Sequence, residues 1–224
     1  VIDPIVPPGD GHTRLGAALR THRLVAILRS VKGGDLEAAI QVLAEAGIRC
    51  LEVTLPTPGS LEAVAEARAR FGDGLTIGVG TVLSPTEVRR AADAGAHFVV
   101  SPTFHRPVVE AARALGLGAL PGVLTPTEAL AAMDAGATAA KLFPAHLMGP
   151  SFVTAVLAPL PDLRFVATGG VALTDVRPWL DAGALAVAVG SPLLGDALAG
   201  GDLAALARRA AAFVTAARGG NDHA

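Results

Sequence analysis

A lysine stands inside an apolar run, Ala139-Ala140-Lys141-Leu142-Phe143-Pro144. On the two-residue period of a strand, Ala139, Lys141 and Phe143 share one face, and Ala140 and Leu142 the other. A charged amine is costly to bury unless it is paired or loses its proton. Desolvation lowers a lysine pKa, and a neutral amine is a nucleophile toward carbonyls. Two readings follow: a strand-end lysine that reaches solvent or pairs a carboxylate, or an amine that attacks a carbonyl. The second charge in an apolar setting is Glu52, in Cys50-Leu51-Glu52-Val53-Thr54-Leu55. Alternation puts Cys50, Glu52 and Thr54 on one face and the bulky Leu51, Val53 and Leu55 on the other. A carboxylate and an amine aimed into one interior form either a structural ion pair or a catalytic pair. Desolvation consumes most of the Coulomb gain of a buried pair, so retaining one at an active end leans toward function.

These side chains need elements to hold them, and the chain alternates strands and helices throughout. The patterns predict strands over 24–29, 50–55, 75–80, 97–101, 118–123, 139–143, 164–168 and 185–189. Helices are predicted over 35–46, 60–70, 84–94 and 106–115, then one opening at 125, then over 151–157, 174–181 and 203–217. A short piece covers 192–198, and a further helix precedes the first strand. Asp35 reads as an N-cap and Gly47 as a stop. Ser84 with Glu87, and Thr125 with Glu128, have capping-box spacing, with Pro85 and Pro126 at the first helical position. Ala-Gly steps at Gly47, Gly95, Gly136 and Gly183 each separate a helix from the next strand, where glycine can take the left-handed helix-ending conformation. Eight strand–helix units in a chain of 224 residues indicate parallel strands with right-handed crossovers. The expected fold is a single eight-stranded parallel (β/α) TIM barrel over 11–218. It carries a loose arm over 1–10 rich in Pro and Gly and a tail over 219–224. An open doubly wound sheet is the competitor; it would normally need fewer strands or more residues.

In such barrels chemistry sits at the C-terminal ends of the strands. The polar residues there are Arg29 after the first strand, Glu52 in the second, Thr81 after the third, Lys141 in the sixth, Thr168-Gly169-Gly170 at the seventh and Gly190-Ser191 at the eighth. Glycine-rich turns after strands seven and eight are where these barrels bind phosphate, on backbone N–H groups and the start of a short helix. A lone Gly-Gly is an ordinary tight turn; two such turns after adjacent strands favour an anion site.

Composition narrows the function classes. Half of the residues, 51%, are in the hydrophobic class and 17% are charged, with a formal net charge of −2. No basic run suggests nucleic acid or a polybasic membrane contact. Uncharged stretches fall short of the roughly 20 apolar residues of a membrane span, and no secretory signal pattern opens the sequence. The single Cys50 excludes an intrachain disulfide, reads as a small buried residue, and fits a reducing compartment, so a cytoplasmic location is expected.

Four segments together resemble one family. Leu51-Glu52-Val53-Thr54-Leu55, Gly78-Val79-Gly80-Thr81-Val82-Leu83, Lys141-Leu142-Phe143-Pro144-Ala145 and Ala167-Thr168-Gly169-Gly170-Val171 are similar to motifs of the 2-keto-3-deoxy-6-phosphogluconate and 4-hydroxy-2-oxoglutarate aldolases, which include the 6-phosphogalactonate enzymes. The resemblance runs in order from about Leu24 to Ala217. It implies a class I aldolase, a homotrimer, with no metal or organic cofactor. It matches Lys141 to the Schiff-base lysine, Glu52 to the general acid–base and Thr81 to a residue at the pyruvate carboxylate. It matches Gly169, Gly170 and Ser191 to the phosphate site, joined by Gly190 in the same turn, and Thr168 to a residue near the substrate hydroxyls. The implied reaction splits 2-keto-3-deoxy-6-phosphogluconate into pyruvate and glyceraldehyde 3-phosphate, with 4-hydroxy-2-oxoglutarate as a second substrate.

One position departs from the gluconate branch, which carries an arginine shortly after the strand-two glutamate to hold the carboxylate; here it is Pro56. Strand one ends Ala26-Ile27-Leu28-Arg29, as in the galactonate branch, so the carboxylate is assigned to the fork of Arg29. Thr168 resembles the gluconate branch. Two other classes compete. A metal-dependent aldolase or isomerase would need clustered ligands, whereas His12, His22, His97, His105, His146 and His223 are scattered; His97 opens a strand at the far barrel end, and His146 could border the site. A non-catalytic phosphate-binding barrel would use Lys141 as a salt-bridge partner.

Overall fold

The computed structural model describes residues 9–219. Nine short strands are present: β1 Leu24–Leu28, β2 Cys50–Thr54, β3 Thr76–Gly80, β4 Phe98–Val100, β5 Gly118–Leu120, β6 Gly122–Val123, β7 Ala140–Leu142, β8 Phe165–Thr168 and β9 Ala186–Val189. All pair in parallel, in the order β5-β4-β3-β2-β1-β9-β8-β7-β6. The two ends of that sheet are consecutive in the chain, so the sheet closes on itself as a barrel. The fifth strand expected over 118–123 is therefore two pieces. Pro121 separates them because it has no N–H to give to a ladder. Its carbonyl still accepts the Lys141 N–H at 2.9 Å, which ties the seam at the strand that carries the amine.

The helices are α1 Asp10–His22, α2 Leu36–Glu45, α3 Ser60–Phe71, α4 Pro85–Asp93, α5 Arg106–Ala114, α6 Pro126–Asp134, α7 Pro150–Leu157, α8 Val176–Asp181, α9 Ser191–Leu194 and α10 Leu203–Arg218. The arm expected over 1–10 ends inside α1, which begins at Asp10; its first eight residues, the tail over 220–224 and His223 lie outside the described residues. The short piece expected over 192–198 is α9 followed by a 3-10 turn, Ala197–Ala199. Both capping boxes form: Ser84 and Thr125 accept the N–H groups of Glu87 and Glu128, whose carboxylates bond back. Gly47, Gly95, Gly136 and Gly183 all adopt positive φ.

Two apolar clusters organise the interior. The strand residues facing outward, among them Leu51, Val53, Ala140 and Leu142, pack against the ring of helices. The inward set, Val25, Cys50, Phe98, Val100, Leu120, Ala139, Val166, Ala186 and Ala188, joins Leu15, Ala18 and Leu19 of α1. So α1 plugs the N-terminal end of the barrel. The faces deduced for Cys50 and Ala139 against Leu51, Val53, Ala140 and Leu142 are the faces observed. Burial pushes the Cys50 thiol far above its ordinary value, which leaves it an inert packing residue.

Candidate active site

Above the plug the interior opens. Small inward residues such as Ala188 leave a cleft of about 450 Å³ at the C-terminal ends of the strands. It takes its walls from strands scattered along the sequence, which only barrel closure brings together. Glu52 enters from β2, whose Thr54 stands in register with Gly80 of β3. Lys141 enters from β7, in register with Val166 of β8. Both are buried, at 2% and 7% exposure. Yet the five ion pairs among the described residues include neither one. The Lys141 Nζ instead lies 5.1 Å from the centroid of the Phe143 ring. Burial holds the Glu52 carboxyl above the usual carboxylate range, while the nearby charges of Lys141 and Arg29 pull it partly back.

The room for Glu52 comes from a glycine. A Cβ on Gly80 would collide with the Glu52 carboxylate, so β3 must be bare at this point. Immediately after Gly80, Thr81 lines the cleft with φ 61°. A β-branched residue in the left-handed region is strained, and the strain falls at the mouth of the cleft. Arg29 follows β1 directly, exposed at the rim, and also lines it.

The opposite wall is built from the turns after β8 and β9. Thr168 ends β8, buried, with its hydroxyl donating to the Val166 carbonyl at 3.2 Å. Gly169 and Gly170 follow at φ 90° and 73°. Gly190 leads into α9, which begins at Ser191 and sends the N–H groups of Leu193 and Leu194 back to the Gly190 carbonyl. Each of these five residues lines the cleft. All nine residues singled out in the sequence thus meet in one cavity. His146 stands behind Gly170, close enough that a Cβ there would lie 2.7 Å from its own, and its N–H donates to the Gly169 carbonyl at 3.2 Å; it does not line the cleft.

Sequence reasoning left out Thr54, Phe143, Pro102 and Ile27, which line the same cleft. Alternation alone could have nominated Thr54 and Phe143, since they share faces with Glu52 and Lys141. Pro102 lies in a loop, where no period applies. Pro56 is exposed and stays outside the cleft. His97 sits at the far end of the barrel, buried, with Nδ1 accepting the Ile77 N–H at 3.1 Å; burial holds its pKa down to about 4. Among the described residues no three His, Cys, Asp or Glu side chains gather where they could hold a metal ion, and no helix is long and apolar enough to cross a membrane.

A buried amine outside any ion pair, a carboxyl biased toward its protonated form and a glycine-lined wall sit in one parallel α/β barrel, an arrangement suited to carbonyl chemistry. The sequence of residues 15–208 matches the family model described as KDPG and KHG aldolase. A probable 2-dehydro-3-deoxy-6-phosphogalactonate aldolase of Rhizobium meliloti (strain 1021) is 39% identical over 181 residues, 80% of this chain and 85% of that protein. A solved structure described as native KDPGal superposes with a TM-score of 0.82 at 36% identity, over 88% of this chain and 94% of the other. The KDPG aldolase of Legionella pneumophila, solved with pyruvate captured as a covalent carbinolamine, superposes with a TM-score of 0.79 at 26% identity, over 88% of this chain and 97% of the other. The chain belongs to the KDPG and KHG aldolase family. It is an aldolase, a lyase.

Proposed function

We propose that this aldolase cleaves a 2-keto-3-deoxy-6-phospho sugar acid to pyruvate and glyceraldehyde 3-phosphate through a Schiff base on Lys141. The observation that carries the reading is that Lys141 and Glu52 face one buried cleft without forming an ion pair. A structural pair would be closed; these two groups are separate and available. The neutral amine of Lys141 attacks the C2 carbonyl, and loss of water gives an iminium, the electron sink. Glu52 removes the proton of the C4 hydroxyl, the C3–C4 bond breaks, and the aldehyde phosphate leaves. The electron pair remains as the enamine of pyruvate. Glu52 returns its proton to C3, and water hydrolyses the iminium to free pyruvate and Lys141. One group acting as base and then acid needs a pKa near working pH, and burial of Glu52 moves it that way. Arg29 and Thr81 hold the carboxylate, Thr168 meets the hydroxyls, and Gly169, Gly170, Gly190 and Ser191 take the phosphate.

Two C4 epimers fit this description. The gluconate epimer is favoured by Thr168, with 4-hydroxy-2-oxoglutarate as a small second substrate. The galactonate epimer is favoured by Arg29 lying in the cleft while Pro56 lies outside it, and by the Rhizobium relative's name. The ratio of kcat/KM for the two epimers decides between them. The reading carries a homotrimer, to be checked by sedimentation, and a cytoplasmic location.

The mechanism is tested by borohydride reduction in the presence of pyruvate. Lys32 and Lys141 are the only lysines in the sequence, so peptide mapping gives a binary answer. The adduct is expected on Lys141, and Lys141→Met should abolish both adduct and cleavage while the protein stays folded. Substantial cleavage by the purified variant would sink the Schiff-base assignment.

A further inference from the structure

The stretch that lacks the carboxylate-binding arginine supplies something else. Pro56 is followed by Thr57, which is buried to 1% exposure outside any strand. Its hydroxyl has two partners. The backbone N–H of Ser30 donates to Thr57 Oγ1 at 3.1 Å. The Thr54 and Thr57 hydroxyl oxygens are 2.8 Å apart and share a hydrogen bond. Thr54 lines the cleft two residues from Glu52, and Ser30 immediately follows Arg29. A continuous polar bridge therefore runs from the cleft wall beside Glu52, through Thr57, to the root of the loop that bears Arg29.

The bridge ends where support is otherwise sparse. β1 stops at Leu28, so Arg29 lies beyond the sheet ladder, exposed at the rim, with no ion-pair partner among the described residues. The loop that follows contains Gly33 and Gly34, both at positive φ, and Val31, 93% exposed. The loop's own bonds are from Ser30 Oγ to the Gly33 carbonyl and from the Leu36 N–H to the Gly34 carbonyl at its far end. Anchoring Ser30 N–H to a buried hydroxyl fixes the backbone one residue from the guanidinium and limits where its fork can swing.

We infer that Thr57 is a positioning residue for substrate carboxylate binding, acting through the Ser30 N–H to hold Arg29 over the cleft. The inference rests on the reading of Arg29 as the carboxylate ligand given above. Thr57 does not itself line the cleft; its hydroxyl reaches Ser30 beside Arg29 and Thr54 beside Glu52, and the Arg29 background separates the two routes. A positioning group that serves ground state and transition state alike changes KM and leaves kcat.

The experiment is a double-mutant cycle on pyruvate-forming cleavage. Thr57→Val keeps the shape and removes the hydroxyl; its KM should rise about tenfold, the scale of one lost hydrogen bond, with kcat within about twofold. Thr57→Ser keeps the hydroxyl and should restore KM. In the Arg29→Ala background, Thr57→Val should add less than about twofold. Circular dichroism confirms folding, and Thr57→Ala replaces Thr57→Val if the latter does not fold. A fall in kcat at unchanged KM, or the same tenfold rise with and without Arg29, overturns the inference while leaving Arg29 as the ligand. If Arg29→Ala itself leaves KM unchanged, the carboxylate reading has failed, and the inference goes with it.

Discussion

Lys141 and Glu52 were legible because a strand has a period of two. One charge in each of two apolar runs, each on a predictable face, was enough to aim both into the barrel. What the period could not reveal was their separation, which decides between an ion pair and two free groups. The burial of Glu52 also has a thermodynamic signature. Its carboxyl pKa is raised by desolvation, so between the unfolded value of roughly 4.3 and the folded value the native state binds more protons than the unfolded chain. The contribution of this group to stability therefore falls as pH rises through that window. Glu52→Gln removes the penalty. Its melting midpoint should exceed that of the wild type by a margin that widens as pH rises above the unfolded carboxylate value, while cleavage is lost; a margin constant with pH would count against the buried, shifted carboxyl. Gly80 supplies a second test at this scale. Gly80→Ala pushes a methyl into the Glu52 carboxylate and should lower kcat by about a hundredfold or more, since a misplacement of about 1 Å costs that much. Normal kcat in a folded Gly80→Ala protein would show that Glu52 has room to move.

The turns after β8 and β9 behave as elements, because their backbone conformation rather than any one side chain shapes that wall of the cleft. Gly170 sits at φ 73° with His146 behind it. Gly170→Val should therefore displace the turn, since a β-branched residue resists that φ and its Cβ meets the imidazole. The expected result is loss of most of the kcat/KM advantage of a phosphorylated keto-deoxy sugar acid over its unphosphorylated analogue. We expect that advantage to be about a hundredfold or more, from two or more charge-assisted bonds at roughly 1.5–3 kcal/mol each. Cleavage of 4-hydroxy-2-oxoglutarate, which has no phosphate, should survive. Equal use of phosphorylated and unphosphorylated acids by the wild type would show that these turns bind no phosphate and would favour a small keto acid as the substrate. These turns could be found from glycines after strands; the capping boxes of α4 and α6 were as plain. The break at Pro121 was missed because apolar pattern outweighed one absent donor. The bridge through Thr57 was missed because it joins residues 27 positions apart in loops without a period.

At the scale of the whole molecule, the barrel has a stability end and a chemistry end, as parallel barrels do. Leu15 and Leu19 of α1 are fully buried against the inward residues of the strands. Leu15→Ala should cost about 2–5 kcal/mol of unfolding free energy and leave kcat/KM within about twofold, because the cleft lies at the other end. A large fall in kcat/KM with unchanged stability would mean that the plug communicates with the site.

The scarcity of amines has a consequence for how the enzyme meets amine-directed reagents. Side chains that ordinarily ionise in the alkaline range are those of tyrosine, cysteine and lysine. This chain has no tyrosine, and its one cysteine is Cys50, whose buried thiol resists ionisation. Every surface cation but Lys32 is an arginine or a histidine, and guanidinium does not deprotonate. Reagents that need a nucleophilic amine or thiol therefore meet two accessible side chains at most, the lysines Lys32 and Lys141. In Lys32→Arg the one lysine left is Lys141. An amine-directed side-chain label on that variant reports on one identified nitrogen.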